Sequence, residues 1–237
     1  MLPPGSSLGY DRSSTMYNPD GRIIQTEYAR EAMRRGSISV AIRSHEGVVL
    51  AGRVRASDLD LPNSKISQID DHFAAIFAGF AADGRVLISR ARVEAQIHKM
   101  TYGAAADIKY VATRLADYAH MFTQQGGLRP LGVGLLLGGI ETDGSPRIYF
   151  VNPGGGLLET RAKAIGHGDS VAMSYLKEHY REDMTLDEII QLAKDTIKQT
   201  EGDQTIGDKE IKELSDKDIE VWSISVDAEL PKFDDIF

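Results

Sequence analysis

The sequence predicts an α+β fold in which two mostly antiparallel sheets stack face to face and each outer surface carries a helix pair. This is a four-layer αββα sandwich preceded by a leader helix. Three observations predict it. Short β-branched runs recur between turn residues; helical stretches come as adjacent pairs between runs of strands, unlike the one-strand, one-helix alternation of a parallel sheet; and a helical stripe stands ahead of the first β pattern at Ser37 to Arg43. No internal repeat or long linker divides the chain, so residues 1–237 read as one domain: leader and helix 1–36, sandwich 37–226, acidic tail 227–237.

The elements follow in order. After a Gly/Pro/Ser-rich opening, Asn18-Pro19-Asp20-Gly21 is a turn: Pro fixes φ at the second position, Asp tolerates the third and Gly closes it. A helix over Arg22–Arg35 presents Ile24, Tyr28 and Ala32 on one face, with Arg34 and Arg35 complementing the C-terminal dipole and Gly36 as the cap. Strands are predicted at Ile38–Ile42, Gly47–Ala51 and Phe73–Ala78. Two helices come next, about Asp83–Met100 with the stripe Val86, Val93, Ile97 and Met100, and about Ala106–Gln124 with Ile108, Val111, Ala112, Leu115, Ala119 and Phe122. Strands return at Val133–Leu137, Ile148–Val151 and Leu157–Ile165. The last helix pair carries Val171, Ala172, Tyr175 and Leu176, then Leu186, Ile189, Ile190, Ala193 and Ile197. Thr185 and Glu188 form a capping box ahead of the final helix, and a strand over Ile219–Val226 closes the pattern.

Composition narrows the function classes. Apolar residues make up 42% of the chain, enough for a sizeable core. No charged segment leads into an apolar run at the N-terminus, and no stretch of about 18 apolar residues occurs, so a cytoplasmic protein without membrane spans is expected. With zero cysteines there is no disulfide, thiolate metal site or cysteine nucleophile. The net charge of −8 lies within residues 201–237, where twelve Asp and Glu face four Lys. That tract reads as a solvated surface, and an acidic chain without a basic stripe is not a nucleic-acid binder.

Motifs for chemistry are few. His45, His72, His98, His120, His167 and His179 are scattered without metal-ligand spacing, so no metal and no cofactor is expected. The clusters Gly154-Gly155-Gly156 and Gly166-His167-Gly168 match neither a P-loop nor a dinucleotide fingerprint and read as turns. Asp70-Asp71 and Asp234-Asp235 are solvated pairs with no second constellation.

The leader carries a resemblance. Tyr10-Asp11-Arg12, Pro19-Asp20-Gly21-Arg22 and Glu27-Tyr28-Ala29 resemble the N-terminal signature of proteasome α subunits, most closely the archaeal type. The likeness continues through Lys65-Ile66-x-x-Ile69-Asp70, Ala78-Gly79, Ala82-Asp83-x-Arg85, Arg92-x-Glu94-Ala95-Gln96, Gly126-Gly127-x-Arg129-Pro130-x-Gly132-Val133 and Ala164-Ile165-Gly166-x-Gly168. It implies a ring of α subunits, seven in this family, stacked on proteolytic β subunits, with unfolded protein substrates admitted through an axial gate. Closed rings arise from head-to-tail interfaces. By matching position, Tyr10, Asp11, Arg12, Pro19 and Tyr28 resemble the gate cluster. Lys65 and Gly79 resemble the pocket that receives the C-terminal carboxylate of activating ATPases, and an ammonium suits that capture. Gln125, Gly126, Gly127 and Arg129 resemble the pore rim.

The same resemblance implies that this chain is not itself an enzyme. The related β subunits use a free N-terminal threonine assisted by Asp and Lys. Here Ser37 takes the nucleophile position, Arg53 stands for the Asp, and Lys65 matches the lysine; Ser37 is internal. No catalytic residue is therefore expected, and the alternatives are an N-terminal nucleophile hydrolase active on its own or a ring-forming α paralogue with altered gating. Gln125 stands where archaeal relatives usually have Tyr, Gly84 replaces the usual Ala, and the segment Gly52–Asn63 departs from the family pattern.

Overall fold

The computed structural model describes residues 13, 15–54, 64–200 and 214–227, and it is the αββα sandwich that the sequence predicts. One sheet has the order β8-β1-β2-β9, formed by β1 (Ser39–Arg43), β2 (Gly47–Arg53), β8 (Ala162–Ile165) and β9 (Ile219–Ser225). The other has the order β3-β4-β5-β6-β7, formed by β3 (Ile66–Asp70), β4 (Phe73–Gly79), β5 (Val133–Ile140), β6 (Pro146–Val151) and β7 (Leu157–Glu159). All neighbouring strands run antiparallel. Helices α2 (Ala81–Tyr102) and α3 (Ile108–Gln124) cover the second sheet, while α4 (Asp169–His179) and α5 (Leu186–Gln199) cover the first. The leader helix α1 (Ile24–Arg34) packs on β4 and β5.

The period-two alternation of strand side chains explains the layering. Val40, Ile42, Val49 and Ala51 point toward α4 and α5, whereas Ala41, Val48 and Leu50 point at the facing sheet. In that second sheet, Ala74, Ile76, Leu136, Ile148 and Phe150 meet them, and Phe73, Ala75, Leu135, Leu137, Tyr149 and Val151 turn toward α2 and α3. A strand clothed on both faces reads as a continuous apolar run, as Leu135-Leu136-Leu137 does.

Helix ends follow local chemistry. The capping box of α5 is formed: Glu188 N–H donates to Thr185 Oγ1 at 3.3 Å, and Thr185 N–H donates to Glu188 Oε2 at 2.8 Å. Helix α3 has a cap that no local pattern announces. Glu141, which follows β5, accepts from Ile108 N–H at 2.7 Å and Lys109 N–H at 3.1 Å, so a carboxylate distant in sequence meets the free donors of the first turn.

Several expectations need correction. The stripe Val86, Val93, Ile97 and Met100 faces outward, and α2 buries Leu87, Ile88, Ala91 and Ala95 instead. Small residues let the helix lie close to the sheet, and the bulkier row is left for another surface. Leu157–Ile165 is not one strand: β7 and β8 belong to different sheets, because the chain crosses between layers at Thr160–Arg161. Strand β3 has no counterpart among the predicted strands, since Ser67, Gln68 and Asp70 interrupt its apolar pattern. On α1 the buried residues are Ile24, Thr26, Ala29 and Met33, while Tyr28 is 45% exposed. Met33 reaches the core between the sheets over Gly134, where a Cβ would lie 2.3 Å from its sulfur.

Candidate functional site

The leader meets the sandwich at a backbone crossing. A Cβ at Gly36 would stand 2.1 Å from the Gly79 nitrogen, so Gly36 is required by close approach, and it lacks the left-handed φ of a helix cap. Gly79 itself has φ +122°, and a Cβ there would lie 2.2 Å from the Gly132 carbonyl oxygen. Gly36 O accepts from His167 N–H at 2.7 Å, which ties the same point to the end of β8. Four chain segments thus converge just before Ser37.

Ser37 and Lys65 are brought together at that crossing. The Lys65 ammonium donates to Ser37 Oγ at 2.8 Å, to Ser37 O at 2.8 Å and to Ile38 O at 2.5 Å. Its stem passes over Gly52, where a Cβ would lie 2.9 Å from the lysine Cδ. Its backbone is fixed from β9: Glu220 accepts from Lys65 N–H at 2.6 Å and also from the Ser64 hydroxyl. Arg53 closes β2 beside this cluster, its N–H donating to Ile38 O at 3.2 Å.

A second feature lies along the leader. In the Asn18–Gly21 turn, Gly21 N–H donates to Asn18 O at 2.9 Å and Gly21 has φ +74°, as the sequence predicts. Asn18 Oδ1 accepts from Asp20 N–H at 3.1 Å and Arg22 N–H at 2.8 Å, which makes the turn rigid. Between this turn, the end of α3 and the β6–β7 connection runs a groove of about 660 Å³ lined by Tyr17, Arg22, Glu27, Arg30, His120 and Asn152, among others.

The loop after α3 is the third feature. Gln125, Gly126, Gly127 and Arg129 are exposed, and Gly127 takes φ +86°. Arg129 anchors the loop by a two-point fork to Asp83, which also accepts from Gly132 N–H at 2.8 Å. Gly84 beside it is buried, and a Cβ there would lie 2.6 Å from the Phe77 ring, so close packing explains this glycine in α2.

The predicted site residues therefore fall into groups. Tyr10, Asp11 and Arg12 lie outside the described residues. Pro19 occupies the second position of the leader turn, and Tyr28 stands on the outer face of α1. Lys65 joins Ser37, and Gly79 sits at the crossing beside them. Sequence reasoning missed Glu220 and Gly52. Glu220 is 155 residues from Lys65, and only strand pairing joins them. Among the described residues no group of three or more His, Asp or Glu is placed to hold a metal, and no helix is long and apolar enough to cross a membrane.

This sandwich, with Ser37 entering the first strand beside a lysine, has the architecture of the N-terminal nucleophile hydrolase class. Comparison with known proteins then narrows the class. The family described as "Proteasome subunit" matches residues 33–213, and the N-terminal signature of A-type proteasome subunits matches residues 10–32. The chain is similar to "Proteasome subunit alpha" of Pyrococcus abyssi, 43% identical with 92% of this chain and 88% of the relative covered. It is likewise similar to "Proteasome subunit alpha" of Methanocaldococcus jannaschii, 46% identical over 81% of this chain and 74% of the relative. The protein of the same name from Methanothermobacter thermautotrophicus is 43% identical over 86% of this chain and 84% of its own length. The chain belongs to the proteasome subunit family, as an α-type member. It is thereby a subunit of the proteasome core particle and assembles with other proteasome subunits.

Proposed function

We propose that this chain is a non-catalytic structural and gating subunit: seven α subunits form the outer ring of the core particle in the cytoplasm, admit unfolded substrates and dock activator ATPases, while β subunits perform the hydrolysis. Residues 1–12 are the gate, with Tyr10, Asp11 and Arg12 working with Pro19 and Tyr28. Residues Gln125, Gly126, Gly127 and Arg129 rim the pore, and Lys65 with Gly79 receives the activator's terminal carboxylate.

The observation that carries the non-catalytic reading is the surroundings of Ser37, whose Oγ accepts from Lys65 Nζ, a group that also donates to Ser37 O and Ile38 O. Ser37 is also joined to Gly36 through its nitrogen, so the terminal amine that activates an N-terminal nucleophile is missing. The rigid Asn18–Gly21 turn supports the gating reading, because it gives residues 1–12 a fixed point of departure.

The outward row Val93, Ile97 and Met100 supports assembly. Exposures of 46%, 50% and 85% on one helix face are large for a free surface, and a β subunit covers this row in our reading.

Reconstitution with β subunits tests the proposal. Deleting residues 1–12 is expected to raise hydrolysis of a small peptide by the assembled particle without changing its size. The chain alone is expected to hydrolyse nothing. Peptidase activity from the isolated chain, with a mature terminus at Ser37 by mass spectrometry, would replace the reading with that of an independent hydrolase.

A further inference from the structure

We propose that residues 228–237 dock back on their own chain, in the cleft between the start of β8 and the C-terminal half of α4, where Asp234 and Asp235 meet Arg161 and Lys177 and their apolar neighbours fill the floor.

The cleft has a volume of about 530 Å³. Its floor is apolar, built from Ala162, Met173 and Leu176, and its lining carries the cations Arg43, Arg161 and Lys177. Their charge is poorly matched. Arg43 spends Nη1 on the Pro146 carbonyl oxygen at 2.7 Å, a neutral partner. Arg161 stands 3.7 Å from Glu182, too far for a hydrogen bond, and among the described residues Lys177 has no acidic partner. Glu159, the acid in the lining, is engaged by Arg147 at 2.7 Å. An apolar floor beneath unmatched cations fits an acidic peptide with large apolar side chains.

Residues 228–237 have that chemistry and lie outside the described residues. Glu229, Asp234 and Asp235 stand against Lys232, and Phe233 and Ile236 flank the aspartate pair. A purely solvated tract would lack such apolar content.

The topology delivers this segment to the right end of the sheet. Strand β9 ends where β2 begins, with Ser225 opposite Gly47, and Val226 N–H donates to Glu46 O at 2.8 Å in the β1–β2 hairpin. Strand β8 begins where β1 ends, with Ala162 opposite Ile42. The Tyr180 hydroxyl donates to Arg43 O at 3.0 Å and so brings the end of α4 to the same place. Three strand spacings separate β9 from β8, about 14 Å. Ten extended residues reach about 33 Å. Linkage within one chain also lowers the affinity required. A short flexible connection gives an effective concentration of about 1 mM, so a dissociation constant of about 0.1 mM keeps the cleft roughly nine-tenths filled.

The test is hydrogen exchange read by mass spectrometry on the full chain, with a synthetic peptide of residues 228–237 as the unprotected reference. Amides of the segment are expected to exchange about tenfold more slowly than in the peptide, as that occupancy requires. Arg161→Glu with Lys177→Glu is expected to bring them to the peptide's rate at a nearly unchanged thermal midpoint, and adding Asp234→Lys with Asp235→Lys to restore the slow rate. Exchange at the peptide's rate in the parent chain, or slow exchange that survives the charge reversal, overturns the inference. Docking on a neighbouring copy is separated by assembling isotope-labelled parent chains with an excess of the reversed variant. Parent segments stay slow when each fills its own cleft; loss of their protection assigns the occupant to the neighbour and overturns docking within the chain.

Discussion

Arg129 grips Asp83 at two points, Nη1 to Oδ2 at 2.7 Å and Nη2 to Oδ1 at 2.8 Å, and so ties the loop after α3 to the first turn of α2. The carboxylate is largely buried and the guanidinium largely exposed, which makes the pair stronger than a surface contact and weaker than a core one. Arg129→Ala is expected to cost about 1–3 kcal/mol, because Asp83 keeps only the Gly132 N–H in a partly dry site. Thermal unfolding of the variant checks the loss, and an unchanged midpoint would show the loop to be held elsewhere.

Acid titration reads the same pair. Burial pushes the Asp83 carboxyl up, but the Arg129 fork and the Gly132 N–H outweigh it and hold the group below its ordinary value of 3.8. The folded state therefore binds fewer protons than the unfolded one in the window just below that value. Stability from Asp83 is fully present above 3.8 and declines as pH falls through the lower folded value. Asp83→Asn is expected to flatten this acid limb in denaturant titrations across the window; an identical slope would remove Asp83 from the account.

Glu141 titrates in the opposite sense. Burial is the main force raising it, with Asp107 adding repulsion, and its bonds to the Lys109 and Ile108 N–H groups only partly offset them. The folded state then holds a proton that the unfolded state releases, so this contribution falls as pH rises from 4.5 through the raised value. Glu141→Gln is expected to remove that decline, and Glu141→Ala to cost about 1–2 kcal/mol through loss of the α3 cap. Amide exchange in the first turn of α3 checks the second effect directly.

The sequence carried the layer order because each strand announces two apolar faces and each helix pair comes as a unit. Ile108, Val111, Leu115 and Ala119 lie buried as predicted, since α3 has one apolar side. Helix α2 misled because it has two: periodicity marks Val93 and Ile97 as readily as Leu87 and Ala91, and it cannot say which row meets the sheet. Lys65 was singled out in the sequence through its motif. Its supports were not, because Glu220 and Gly52 reach it only through strand pairing, and the Glu141 cap likewise comes from the end of another element.

The outward row of α2 gives an assembly prediction. Ile97 is half exposed and makes no part of the core, so Ile97→Asp is expected to leave the thermal midpoint of the isolated chain nearly unchanged. A charge placed in a covered apolar contact is costly unless paired. Size-exclusion chromatography with β subunits should therefore show failed or weakened stacking at normal fold stability. Normal assembly would place the β contact on another surface.

Gly36→Ala probes the crossing on which the site stands. The added methyl would meet the Gly79 nitrogen at 2.1 Å and its Cα at 2.9 Å, atoms of backbone that cannot rotate aside as a side chain does. Either α1 must lift or the end of β4 must part from β5, and overpacking of this kind costs about 1–3 kcal/mol. Lifting α1 is the cheaper course, since the helix is held by the packing of Ile24, Thr26, Ala29 and Met33, whereas β4 is bonded to β5 along its whole length. The expected signature is faster amide exchange across α1, with α3 unaffected and Ser37 displaced from Lys65. Uniformly faster exchange through β4 and β5 would instead mean that the sheet, and not the leader, gives way.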